Sequence, residues 1–242
     1  LRGFCTTLIE NKQLVMAKRK KNKDSEELLV DIVEVRDQAQ SFMERNQKVV
    51  FGALVALVVL VGGFLAYKSL YQQPRQEEAV EQMFRAQMQF EQDSFALALT
   101  NPGGGYLGFL DIIDSYKGTK AANLSKYYVG ISYLHLGKFE AAISYLEDFN
   151  PAGDVTPIMK NGALGDAHAE LGNTNKAISY YKKAANANNE ALAPYYMKKL
   201  GMLYEHQGDM AAAKKQYEAI QQKYPSSIAG RDIDKFIARV SQ

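Results

Sequence analysis

Three glycines at a nearly constant spacing constrain the fold of this chain more than any other feature. Gly137, Gly172 and Gly208 lie 35 and 36 residues apart, and each follows apolar residues at helical spacing. Aligning the segments on these glycines gives two further columns of small residues: Gly130, Gly165 and Gly201 before the turn, and Ala142, Ala177 and Ala213 after it. The pattern predicts pairs of antiparallel helices that cross closely, with a glycine ending the first helix of each pair. One pair cannot bury its apolar stripes alone, so the pairs should stack.

The period and the small-residue columns resemble the tetratricopeptide repeat, a helix-turn-helix unit of about 34 residues that stacks into a right-handed solenoid. Pro225 matches the end of the repeat, whereas Phe149 and Ile220 stand where that family usually has alanine. The resemblance implies an all-α solenoid with repeats near residues 123–156, 158–191 and 194–227. We expect wider helix spacing at Phe149 and Ile220.

The flanks of the three repeats extend the predicted array, so that the repeat domain occupies residues 67–242. IIDSYKGTKA echoes IQQKYPSSIA at the end of the third repeat, which predicts a degenerate unit over residues 76–120. Its helices should lie around Gln76 to Asp93 and around Tyr106 to Tyr116, joined by a loose loop, FALALTNPGGGYLG. This glycine run lacks the Lys-Ser/Thr of a phosphate-binding loop. Residues 226–242 are predicted to form a capping helix with a polar outer face.

Residues 49–66, VVFGALVALVVLVGGFLA, predict a single transmembrane helix that contacts membrane lipid. The run contains 18 residues without a charged side chain, and a helix of that length is about 27 Å long, close to the thickness of the bilayer core. A buried core helix is the first alternative, but the solenoid is complete without this segment. A cleaved signal peptide is the second, but FLAYKSLY follows the run instead of small residues that would mark a cleavage site.

Basic residues are concentrated before the predicted span. Arg36, Arg45 and Lys48 precede it, with the cluster AKRKKNK further upstream, whereas acidic residues soon follow Lys68 and Arg75. The positive-inside rule therefore predicts that residues 16–48 are a basic cytoplasmic tail and that the repeats lie across the membrane. The cluster could also bind anionic lipid or RNA, but a solvated tail that sets the topology explains it.

The first 15 residues are expected to be a non-translated or disordered extension. The sequence begins with Leu1, and Met16 opens MAKRKKNK, a plausible start of translation. Starting at Met16 would remove Cys5, which is the only cysteine. We therefore expect no disulfide, thiol nucleophile or cysteine metal site.

The sequence predicts a protein that is not an enzyme. His135, His168 and His206 fall in the first helices of the three repeats without the spacing of metal ligands. We expect no catalytic residue, no metal and no cofactor. The net charge is +2 and the solenoid has no basic stripe with interleaved aromatics, so nucleic acid is not an expected partner.

The resemblance to tetratricopeptide repeats implies a concave groove that binds protein segments. The groove positions are Tyr127, Ile131, Leu134 and His135 in the first repeat, Met159, Asp166 and Glu170 in the second, and Tyr195, Lys198, Met202, Glu205 and His206 in the third. Aromatic residues and methionines favour an adaptable surface for apolar peptides. The basic and amide residues of a carboxylate clamp are absent where Tyr127 and Ile131 stand. Alternatively, these residues only cover the apolar faces of the helices.

The segments beside the span are similar to those of the ancillary SecYEG translocon subunit family of Gram-negative bacteria. FMERNQKVV precedes the span and FLAYKSLYQQP follows it, with tyrosines where that family often has tryptophans. The resemblance implies a single-pass protein of the bacterial inner membrane with a cytoplasmic N-terminus and a periplasmic repeat domain. Its partners would be the SecYEG translocon, unfolded clients or periplasmic chaperones, and its role that of a scaffold or holdase chaperone. The alternatives are a general scaffold for cell-envelope assembly, in division or outer-membrane biogenesis, and an organellar import receptor with cytosolic repeats.

Overall fold

A computed structural model of the protein describes residues 42–241 and divides the chain into two compact units between Tyr67 and Lys68. The expectations for residues 1–15, for translation from Met16 and for the basic tail before Phe42 lie outside the described residues. Within the described range every regular element is helical, and no strand occurs.

The first unit contains helix α1, Gln47–Tyr67, in which no residue is buried. This helix includes the predicted span and is the first part of a longer helical stretch, Gln47–Glu91. Among the described residues, this is the one stretch that is long and apolar enough to cross a membrane. Its most apolar window has a mean hydropathy of 2.8 and is entirely unburied. A buried core helix of a soluble domain would instead be covered by neighbours.

The second unit begins with a π-helical segment, Lys68–Gln72, and continues as a series of packed helices. The degenerate unit comprises α2 (Gln73–Glu91), α3 (Phe95–Thr100) and α4 (Phe109–Ser115). Three helix pairs follow: α5 (Lys120–His135) with α6 (Phe139–Asp148), α7 (Thr156–Glu170) with α8 (Thr174–Ala185), and α9 (Leu192–His206) with α10 (Met210–Lys223). The array ends with α11 (Ile228–Arg231) and α12 (Ile233–Arg239). The predicted all-α fold, a solenoid preceded by an apolar helix, is confirmed.

The small-residue columns lie where the two helices of each pair cross. A Cβ atom on Gly130 would come within 2.5 Å of Leu146, one on Gly165 within 2.5 Å of Tyr181, and one on Gly201 within 2.4 Å of Tyr217. The three alanines of the second helices are fully buried. The turn glycines adopt φ values of 69°, 72° and 79°, a left-handed conformation that other residues rarely accept. The three columns of small residues therefore reflect the same helix-crossing geometry in all three helix pairs.

Helix α3 occupies part of the segment that was expected to be a loose loop. Its residues Ala98 and Leu99 are buried, and Leu99 packs in the same core as Phe109. The returning chain passes so close that a Cβ on Gly108 would lie 2.4 Å from the Leu99 carbonyl oxygen. The apolar FALALT sequence therefore folds onto the core, and the positive φ angles within residues 95–108 are those of the glycines at 103–105.

The capping segment is two short helices instead of one. Ser227 caps α11 by accepting a hydrogen bond from the Gly230 amide at 3.0 Å, and Asp232 separates α11 from α12. A Cβ on Gly230 would lie 2.3 Å from the Tyr224 carbonyl oxygen, so α11 packs directly on the end of α10. The break turns α12 so that Ile233 is buried against the third pair.

The order of contacts shows which side of the solenoid is concave. The backbones of successive first helices, α5 with α7 and α7 with α9, approach within 8 Å between Cα atoms, whereas the backbones of the second helices, α6, α8 and α10, stay farther apart than that. The row of first helices therefore lies on the tighter, inner side, which we call the concave face. Phe149 and Ile220 are buried at the joints between pairs; the wider spacing expected there stays a prediction.

Candidate protein-binding groove

A cavity of about 550 Å³ opens on the concave face between α5, α7 and α9. We call it the concave cavity. Five of the residues that the sequence placed in the groove line it: Ile131, Leu134 and His135 from α5, and Asp166 and Glu170 from α7. The lining also includes residues that the sequence did not single out as groove positions: Gly137, Phe139, Ala169, Tyr181 and Lys199. Its volume falls within the range of about 300–1,000 Å³ that is typical of ligand-sized clefts.

The apolar side of the concave cavity comes from α5. Ile131 and Leu134 are half-buried there and pack against the small core that contains Leu146 and Leu164. His135 is exposed at the rim, where its ring stacks on Phe95 of α3 with 4.3 Å between the ring centres. Helix α3 therefore positions one residue of the rim, although its sequence predicts a loop.

Asp166 organises the polar side of the concave cavity. Its Oδ1 atom accepts a hydrogen bond from the Tyr181 hydroxyl at 2.6 Å and another from the Lys199 ammonium, also at 2.6 Å. Burial disfavours the charge on Lys199, but the interactions of the ammonium with Asp166 and Tyr195 together outweigh burial and raise the lysine pKa. Burial, reinforced by the Asp166 carboxylate, also raises the pKa of Tyr181. Both partners of Asp166 therefore keep their protons throughout the physiological pH range.

Tyr127 forms part of a tyrosine cluster at the joint between repeats. Burial raises its pKa to about 12, and its ring lies 5.5 Å from that of Phe149. At the next joint, Tyr196 of α9 occupies the space over Gly162 of α7. Tyr127 consequently packs at the joint between the repeats, and its role in a binding groove stays a prediction.

The structure divides the groove residues of the third repeat into two sets. Tyr195 and Met202 are each 48% exposed. Lys198 and Glu205 instead contact α12: the Lys198 ammonium lies 4.2 Å from the centre of the Phe236 ring, and Arg239 donates two hydrogen bonds of 2.8 Å to Glu205. The capping helix therefore occupies the place where a fourth first helix would pack.

The remaining predicted residues do not join the concave cavity. Met159 is half-buried and His206 is exposed, and neither contributes to its lining. His168 is buried, stacks on Tyr180 with 5.4 Å between the ring centres, and leaves its Nδ1 atom without a hydrogen-bond partner. Among residues 42–241 no group of three or more histidine, cysteine, aspartate or glutamate side chains is arranged to hold a metal ion.

The family comparison agrees with this geometry. The family model described as tetratricopeptide repeat matches residues 163–228, which run from within α7 to the start of α11. A tetratricopeptide repeat is therefore found within residues 163–228 of this chain. The match covers most of the second helix pair and all of the third, and α5 with α6 repeats the same glycine crossing ahead of it. Tetratricopeptide repeats generally bind protein partners and are generally not catalytic. A comparison with curated proteins finds no match to this chain.

Proposed function

We propose that this protein is a membrane-anchored tetratricopeptide-repeat scaffold or holdase chaperone, which holds segments of partner polypeptides on its concave face beside the Sec translocon. The observation that carries the proposal is the concave cavity, because three successive first helices contribute both apolar and charged side chains to it. Tyr195 and Met202 add exposed apolar surface along the same row of helices. Such a surface suits extended segments of varied sequence.

Anchoring offsets the weakness of such binding. An open groove lined by both apolar and charged side chains is expected to bind peptides with a Kd on the order of micromolar. The α1 helix would keep the repeats beside partners in the same membrane, where tethering raises the effective concentration toward about millimolar. A holdase needs this combination, because it must release each segment as readily as it captures it.

The proposed orientation puts the repeats outside the cytoplasm of a bacterial cell, in the periplasm. Its support is the excess of lysine and arginine before the apolar segment. Protease added to spheroplasts should digest the domain after Tyr71 and leave the N-terminal tail intact. An organellar receptor with cytosolic repeats requires the opposite orientation, so protection of the repeats in this assay would contradict our proposal.

The Sec translocon is proposed as the partner because of the resemblance of the segments beside the span to the ancillary translocon subunits. A scaffold for division or outer-membrane biogenesis is the second candidate, since it would have the same anchor, orientation and repeats. Purification of the intact protein in mild detergent, followed by mass spectrometry, separates the two. Recovery of SecYEG supports the first candidate, and recovery of division or outer-membrane assembly proteins without SecYEG supports the second.

A photocrosslinking experiment tests the groove itself. A photoreactive amino acid at Ile131, on the wall of the concave cavity, should crosslink to a stalled secretory chain in the translocon. The matched control has the same amino acid at Lys215, which is exposed on the second helix α10. Equal crosslinking from both positions, or crosslinking from Lys215 alone, would place binding elsewhere and would contradict the proposed role of the concave face.

A further inference from the structure

The concave cavity has an apolar side and an acidic side on adjacent helices. Ile131 and Leu134 form the apolar side on α5, while Asp166 and Glu170 lie on α7. These two carboxylates are four residues apart, a spacing that places them on the same face of a helix. An extended segment that crosses from α5 to α7 would therefore meet apolar surface first and carboxylates next.

The charges of the acidic side do not cancel. Lys199 is paired with Asp166 Oδ1 at 2.6 Å, and its ammonium also lies 5.1 Å from the centre of the Tyr195 ring. Asp166 Oδ2 and the exposed Glu170 carboxylate make no hydrogen bond or ion pair with other residues in the described part of the chain. His135, the other titratable group at the rim, stacks on Phe95. One carboxylate charge and several acceptor oxygens thus remain for a ligand.

We propose that the concave cavity selects extended polypeptide segments in which an apolar side chain lies next to a lysine or arginine. The apolar side chain would pack on Ile131 and Leu134, and the cation would lie near Glu170 and Asp166 Oδ2. This inference rests on the proposed function, because it specifies the ligand of the same groove. Segments with an acidic residue in place of the basic one would meet uncompensated negative charge and bind less well.

Two labelled peptides and the full-length protein in nanodiscs test the proposal. One peptide is Gly-Ser-Leu-Arg-Leu-Ser-Gly, and the other has glutamate in place of arginine. Fluorescence anisotropy should show tighter binding of the arginine peptide. The Glu170→Gln substitution should weaken that peptide about two- to fivefold, as expected for the loss of one exposed ion pair, and should not weaken binding of the glutamate peptide. Raising the salt concentration should reduce the preference for arginine.

Two further variants separate the acidic side of the cavity from its apolar side. Glu190→Gln removes an exposed glutamate outside the concave cavity, so it should leave both affinities unchanged. Ile131→Ser should weaken both peptides equally, because it removes apolar contact without changing charge.

Two outcomes would overturn the inference in distinguishable ways. Equal binding of the two peptides, or an arginine preference that survives Glu170→Gln, would overturn the charge selection and leave the proposed groove in place. If neither peptide binds the parent protein, both the selection and the proposed groove are contradicted.

Discussion

The ring of Tyr196 on α9 occupies the space above Gly162 on α7, where a Cβ atom on the glycine would lie 2.0 Å from the tyrosine Cζ atom. This contact joins the second and third helix pairs on their concave side. Tyr196 is only 8% exposed, and burial raises its pKa, so the ring is fixed in a packed joint. Any side chain on Gly162 would have to displace it.

Replacing Gly162 with alanine should destabilise the repeat domain through this contact. Overpacking typically costs about 1–3 kcal/mol, while the better helix propensity of alanine returns about 1 kcal/mol. We therefore expect Gly162→Ala to lower the free energy of unfolding. The same substitution should cause no such loss in a protein that already carries Tyr196→Leu. Urea denaturation of residues 68–242 for the parent, both single variants and the double variant gives the coupling energy, expected between about 0.5 and 3 kcal/mol. If the effects of the two single substitutions on the free energy of unfolding simply add, the Tyr196 ring moves aside without loss of stability.

The glycine columns within each repeat support a second prediction. Gly165→Leu should lower the free energy of unfolding by about 1–3 kcal/mol, because its side chain would enter the space of the Tyr181 ring. The control is Gly172→Asn at the following turn, where φ is 72° and nothing lies within 4 Å of an added Cβ. Asparagine tolerates this conformation, so the control should change stability by less than about 0.5 kcal/mol. A melting temperature unchanged by Gly165→Leu would contradict the observed helix crossing.

Features that depend on local patterns could be predicted from the sequence. The crossing glycines and turn glycines recur at fixed offsets, which was enough to predict three helix pairs. The register of the first helices also indicated Ile131 and Asp166 as concave residues. Equivalent positions of each repeat lie on the same face of the helix pair. This periodicity alone was therefore enough to predict both the helix pairs and the concave residues.

Contacts between distant segments could not be predicted in the same way. Glu205 has a groove position by register, yet Arg239, 34 residues later, binds it. The pairing of Tyr196 with Gly162 crosses from one repeat to the next, outside the column pattern within each repeat. The α3 helix precedes a glycine run, and burial of Ala98 and Leu99 against the core holds it in place.

The bond between Arg239 and Glu205 should hold the capping helix on the third repeat. Burial disfavours the charge on Glu205, but hydrogen bonds from Arg239 and Tyr217 outweigh burial and lower the glutamate pKa. Since Arg239 is 55% exposed, we expect Arg239→Gln to cost about 0.5–1 kcal/mol of stability, and less at high salt. The control, Lys235→Gln, breaks a more exposed pair with Asp232 on the same segment and should have almost no effect. Equal effects of the two substitutions would contradict a specific role for Arg239.

His168 should make the stability of the repeat domain depend on pH. Burial, with a smaller contribution from nearby Lys176, lowers the imidazole pKa below its ordinary value of 6.5, while Glu147 opposes this shift. The unfolded chain therefore binds a proton more readily than the folded one. The stability that comes from keeping His168 neutral is fully present above pH 6.5. It should be lost as the pH falls from 6.5 toward the lower pKa that His168 has in the folded protein.

The substitution His168→Phe should remove this pH dependence while keeping the ring that stacks on Tyr180. It also removes the buried Nδ1 atom that lacks a hydrogen-bond partner, so the variant should fold at neutral pH. Between pH 7 and pH 5 the parent should lose stability relative to the variant, because the unfolded chain takes up the proton on His168 more readily than the folded one. His135 and His206 are present in both proteins, so the comparison isolates His168. Urea denaturation of residues 68–242 at both pH values measures the difference; parallel curves for the two proteins would mean that folding does not disfavour the proton on His168.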